Sequence, residues 1–289
     1  MTRMFNIFVA AAALSASPAG AQPSQPQRLL APAPQPSAGM PPSYADLADL
    51  ALPAPVAAHV RLRRALALRP AEASGVAPGF TRFYIEADVV ALIRGEAGMP
   101  TRVAYLIDLP NDPQGRAARP ARRGEWLIFA RTVRGRPGEL QLVAPDAQLP
   151  FTADLAARTR SILRSALATD APPPIARIGR AFHVPGSLPG SSETQIFLQT
   201  AQNQPISITV VRQPGAQPHW FVSMSEFVDA GATQPQRDTL LWYRLACFLP
   251  AQLPQGSYAE AREHAAAIAA DYRLVRQGLG ACERRRRPG

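Results

Sequence analysis

The stretch HVPGSLPGSSE, His183 to Glu193, brings together one histidine, three serines and glycines that free the backbone. A serine becomes a nucleophile when a base takes its proton, so a pairing of His183 with Ser191 would supply hydrolytic chemistry. The order Gly186-Ser187-Leu188-Pro189-Gly190 places its serine one position early for a G-x-S-x-G elbow. No parallel sheet is expected for such an elbow to top. The segment reads first as a proline- and glycine-shaped turn, and a hydrolase working from residues 183–193 is carried as an alternative.

Metal chemistry finds no foothold. The four histidines, His59, His183, His219 and His264, have no second His, Cys or clustered carboxylate at ligand spacing. Neither a metal nor a cofactor is expected. Glu86 and Asp88 share one face of a strand, about 7 Å apart, and pairing with Arg82 or Arg94 is the simpler role for them than acid–base catalysis. All 31 basic residues are arginine. A chain without lysine forms no Schiff base and has no Ser-x-x-Lys pair or phosphate-loop lysine. No catalytic residue is assigned.

The remaining signal is charge, +10 over 289 residues. Arginines cluster at Arg61–Arg63–Arg64, at Arg116–Arg119–Arg122–Arg123, at Arg131–Arg134–Arg136 and in the terminal run Arg284 to Arg287. Arg61, Arg63, Arg119, Arg122 and Arg123 are the candidate anion-binding residues. Aromatic residues are only 7% of the chain, too few on outward strand faces for base stacking. A nucleic-acid partner is therefore not expected; an anionic envelope component or an acidic protein is.

Elements that would carry these side chains can be read from periodicity. In VAAHVRLRRALAL, Val56, Ala58, Val60 and Leu62 alternate with polar positions. In FYIEADVVALI, Phe83, Ile85, Ala87, Val89, Ala91 and Ile93 share a face, and RVAYLIDL places Val103, Tyr105, Ile107 and Leu109 together. EWLIFARTV is nearly continuous and suits a strand buried on both faces. ELQLVAP follows the turn GRPG. A helix from Thr152 presents Leu155, Thr159, Ile162, Leu163 and Ala166 on one stripe, and Ser43 caps a short helix ahead of the first strand. Five strands and a terminal helix predict a small closed barrel of OB type.

On FYIEADVVALIRG, TRVAYLIDLP, GEWLIFA and ELQLVAPDAQLP, residues 44–168 resemble the netrin-like module, the OB-type fold of tissue inhibitors of metalloproteases and related secreted domains. Those inhibitors are similar to one another in their disulfides and in an N-terminal cysteine that chelates the protease zinc. This segment has no cysteine, so metalloprotease inhibition does not carry over. A protease-inhibitor-like role stays a third alternative.

Residues 169–176, with three prolines, are expected to link this barrel to a second unit over 177–283. There ETQIFLQT, PISITVVR and HWFVSMSEFV read as an antiparallel meander. RDTLLWYRLACFLP is expected as the fourth strand. Ser257 and Glu260 suggest a capping box opening a helix with Ala261, Ala265, Ile268, Tyr272, Val275 and Leu279 on one face, stopped at Gly278 and Gly280. The fold class is thus mainly β with α+β: a barrel, then a small sheet covered by a C-terminal helix.

At the N-terminus, Arg3, an apolar stretch from Met4 to Ala16 and small residues at Ala19 and Ala21 read as a secretory signal over 1–21. A Pro/Gln-rich linker follows over 22–42. The mature chain is expected in the periplasm or secreted, without a transmembrane helix. Cys247 and Cys282, the only cysteines, would pair in that oxidising compartment and tie the chain's end to a strand. The arginines of 284–289 would project past that staple as a mobile basic tail. Together these features imply an exported, non-enzymatic binding or interaction protein of the envelope.

Overall fold

The structure, a computed structural model, describes residues 41–224 and 232–286. The expected signal sequence, nearly all of the linker and the last three residues lie outside them, as does the end of the segment HWFVSMSEFV.

The first element is α1 (Tyr44–Ala51), with Ser43 and Asp46 forming a reciprocal capping box at its start. Five strands follow: β1 (Val56–Ala67), β2 (Phe80–Arg94), β3 (Arg102–Pro110), β4 (Glu125–Val133) and β5 (Arg136–Leu142). Their order is β1-β2-β3-β5-β4, and β4 pairs back onto β1 to close a barrel, consistent with the OB type read from the sequence. All neighbours are antiparallel except β3 and β5, which run parallel. A short β6 (Gln148–Pro150) adds to β4. Then α2 (Ala153–Leu167) opens on the Thr152 hydroxyl, which accepts from the Leu155 N–H, and buries the expected Leu155, Thr159, Ile162 and Leu163.

Two cores divide the apolar residues. Val56, Ala58, Val60, Leu62, Phe83, Ile85, Ala87, Val103, Tyr105 and Ile107 fill the barrel. The second core begins outside the barrel wall and joins α1 and α2 to the second sheet. Strand β4 separates the two: Ile128 and Ala130 face the barrel, while Leu127 and Phe129 face the second core, and all four are fully buried. This is why its sequence lacks alternation. In β2 the expected alternation holds, with Phe83, Ile85 and Ala87 buried and Val89, Ala91 and Ile93 half-buried on the same face, while Val90 and Leu92 are exposed on the other.

The second sheet has the order β10-β9-β8-β7 and is antiparallel throughout. Its strands are β7 (Ile175–Pro185), β8 (Ser192–Thr200), β9 (Ile206–Arg212) and β10 (His219–Ser223). Membership differs from the sequence expectation in two places. The fourth strand is β7, which starts inside the presumed linker. RDTLLWYRLACFLP instead forms a helix, α3 (Leu240–Ala246), capped by Thr239. Its Leu240, Trp242, Tyr243, Leu245 and Ala246 are buried, which needs a helix whose flanks meet several neighbours at once. The C-terminal helix also starts later than expected: Ser257 lies in a 3₁₀ turn, Gln255–Tyr258, and α4 spans Ala265–Leu279. Gly278 is required inside α4 because a Cβ there would meet the Trp220 ring at under 3 Å. Gly280, at φ +71°, ends the helix.

Cys247 and Cys282 form the disulfide, with a Cα–Cα distance of 5.0 Å. It anchors the chain's end to the C-cap of α3, not to a strand. The described arginines beyond it, Arg284, Arg285 and Arg286, are held rather than projecting. Arg284 pairs with Asp49 at 2.6 Å and Arg286 with Asp146 through Nε at 2.8 Å. The backbone N–H groups of Arg285 and Arg286 donate to the Asp46 carboxylate. Residues 283–286 thus form a strap across the start of α1. Among the described residues, no helix is long and apolar enough to cross a membrane.

Candidate functional site

The five candidate arginines fall on two adjoining parts of the barrel. Arg61 and Arg63 alternate with buried Leu62 on β1 and point outward. The residues from 111 to 124 connect β3 to β4, and here Arg119, Arg122 and Arg123 are exposed. The loop is braced at its base by Asp112, which accepts from the backbone of Gln114 and Arg116 and from the Arg116 side chain. Those bonds hold the Asp112 carboxyl below its usual range. At the other end the Gly124 carbonyl accepts from the Leu62 N–H at 2.9 Å, so the loop's last residues lie against β1 between Arg61 and Arg63. Arg123 takes a positive φ of 61° to make this approach.

The arginines differ in how far neighbours compensate them. Arg61 makes two hydrogen bonds to Glu125, and Arg63 bonds both oxygens of Asp88. Glu125 also meets His59 at 2.9 Å, and its carboxyl is held below the ordinary value, first by Arg61 and then by His59. His59 itself is stacked on Phe151 at 3.5 Å. Glu86 and Asp88 serve Arg64, Arg63 and Arg102, while Arg82 takes Asp108. By contrast, Arg119, Arg122 and Arg123 have no acidic partner among the described residues. The loop is therefore the uncompensated part of this surface.

His183 and Ser191, the pair carried as the hydrolase alternative, each bond other partners. The Ser191 hydroxyl donates to the Leu188 carbonyl at 2.7 Å and accepts from the Leu188 N–H, closing the turn. His183, on β7, meets Thr194 of β8 at 2.7 Å. The Thr194 hydroxyl proton goes to Asp271 at 2.5 Å, so its oxygen accepts from His183 Nδ1–H. Arg212 of β9 bonds the other oxygen of Asp271 at 2.7 Å. Burial lowers the pKa of His183; Asp271 opposes that shift, while nearby His264 and Arg212 reinforce it. Asp271, only 1% exposed, thus joins α4 to three strands. This is a buried latch whose central hydroxyl, Thr194, is closed off from solvent. Among the described residues no three His, Cys, Asp or Glu side chains gather as a metal-ligand group.

No family model, no characterised protein and no solved structure matches the chain.

Sequence reading missed Asp271, Thr194 and Arg212. One signal was available: Asp271 stands between Ile268 and Tyr272 on the buried face of α4, and an acid on an apolar stripe requires a buried partner. It also missed Asp46, Asp49 and Asp146 as acceptors for the terminal arginines, which no local pattern marks.

Proposed function

We propose that the protein is an exported, non-enzymatic binding protein of the cell envelope whose ligand is an anionic envelope component. The observation that carries this reading is the β3–β4 loop, where Arg119, Arg122 and Arg123 stand exposed without acidic partners while the adjoining Arg61 and Arg63 are paired. Export itself rests on the N-terminal sequence and the disulfide. The netrin-like resemblance supports a secreted barrel without carrying an inhibitory function.

An arginine near an anionic surface contributes about 1 kcal/mol. Three such residues therefore correspond to about a hundredfold in partition, and the effect falls with added salt. Retention of the mature chain on phosphatidylglycerol or lipopolysaccharide surfaces, with release by salt, tests the reading. Equal retention on neutral phosphatidylcholine contradicts it. N-terminal mass analysis of the chain recovered by osmotic shock tests export, with Gln22 expected as the first residue.

A further inference from the structure

Strand β3 pairs with β2 along its entire length, from Asp88↔Arg102 to Phe80↔Pro110. Its other side pairs with β5 at only two positions, Ala104↔Glu139 and Tyr105↔Leu140. Beyond these, β3 continues with β2 while β5 continues with β4, through Gln141 and Leu142. The parallel strands therefore split, and the barrel wall opens as a V between Leu106–Asp108 and Gln141–Leu142. A cleft of about 740 Å³ occupies the opening.

We infer that this split is a docking groove for an extended segment of a partner protein, which adds as a strand along Leu106–Asp108 and places a carboxylate on Arg131. Three features favour that occupant. An open strand edge offers alternating N–H and C=O groups that an extended backbone satisfies best. Side chains at the groove alternate, with Ile107 buried beneath it and Leu106 46% exposed beside it, matching the two-residue period of an added strand. Charge selects the partner's chemistry. Asp108 is taken by Arg82 through two 2.7 Å bonds, and Glu139 by Arg136. Arg131, exposed on β4, is the one charged lining residue without an ion partner among the described residues. An acidic peptide strand supplies both the backbone edge and the missing countercharge. The groove uses none of the arginines of the β3–β4 loop.

The test is selection of a displayed library of ten-residue peptides on the full chain, followed by anisotropy titration of the enriched peptides. The groove predicts peptides alternating β-branched and polar residues, with Asp or Glu at a fixed place. Arg131→Glu should weaken them about tenfold or more, and N-methylation of alternate peptide residues should abolish binding. Arg131 is exposed and unpaired, so the substitution leaves the fold intact, which circular dichroism checks. Arg119→Ala should leave peptide affinity unchanged. Failure to enrich peptides overturns the inference. So do enriched peptides indifferent to Arg131→Glu, or peptides that tolerate N-methylation.

Discussion

Asp46 accepts the backbone N–H of Arg285 at 2.9 Å across 239 residues of sequence. The same carboxylate accepts from Ser43 N–H at the cap of α1 and from Arg286 N–H, and it is fully buried. One acid thus closes the first helix and fixes the last described residues over it. The Ser43 hydroxyl donates to the Glu283 carbonyl in return.

Asp46→Ala should therefore remove a cap and leave two strap amides without acceptors, lowering stability by about 2–4 kcal/mol. Urea unfolding gives the magnitude. Hydrogen exchange at the Arg285 and Arg286 amides should accelerate in the same variant. Unchanged exchange there would show that the strap does not depend on Asp46.

The disulfide closes a loop of 35 residues, which in the chain-entropy model contributes about 4 kcal/mol. Cys247→Ser/Cys282→Ser should lose about that much by denaturant midpoint. Tris(2-carboxyethyl)phosphine should destabilise the wild type to a similar degree and leave the double variant unaffected.

Asp271 is buried with Arg212 and Thr194 as partners. Asp271→Ala leaves the partly exposed Arg212 guanidinium and the buried Thr194 hydroxyl without their acceptor and should cost about 1–3 kcal/mol. Thr194→Val, which removes only the hydroxyl relay, should cost less. Equal costs would mean that the ion pair contributes nothing beyond the hydroxyl bond.

His183 adds a pH dependence whose sign follows from its lowered pKa. The folded chain prefers the neutral ring, so this contribution is fully present above the unfolded value of about 6.5. It is lost as pH falls from there through the folded pKa. His183→Gln should flatten that part of the melting-temperature profile. A wild-type profile that rises on acidification over the same window would reverse the assignment.

Much of the barrel was legible because local patterns coincide with burial. The continuous run in β4 signalled two buried faces, and the stripe Leu155–Thr159–Ile162–Leu163 signalled α2. The second half was less legible. Strand β7 carries a register shift between Ile178 and Ala181 that breaks its alternation, and it follows directly on prolines. Helix α3 spans only seven residues, too short for a helical period to stand out from a strand. The terminal arginines looked solvated because their acceptors, Asp46, Asp49 and Asp146, lie at least 140 residues away. The loop arginines were identified as a group, but which of the five were already paired depended on Glu125 and Asp88, residues brought in by strand register.

The most direct test is vesicle co-sedimentation of the mature chain beside its Arg119→Ala/Arg122→Ala/Arg123→Ala variant. The wild type should bind phosphatidylglycerol vesicles at low salt, ignore phosphatidylcholine, and release as ionic strength rises. The triple variant should lose about a hundredfold in partition. A control that removes three other exposed arginines, Arg134, Arg164 and Arg177, should retain most of it. Equal losses in both variants, or no binding by the wild type at low salt, would contradict a ligand surface at the β3–β4 loop.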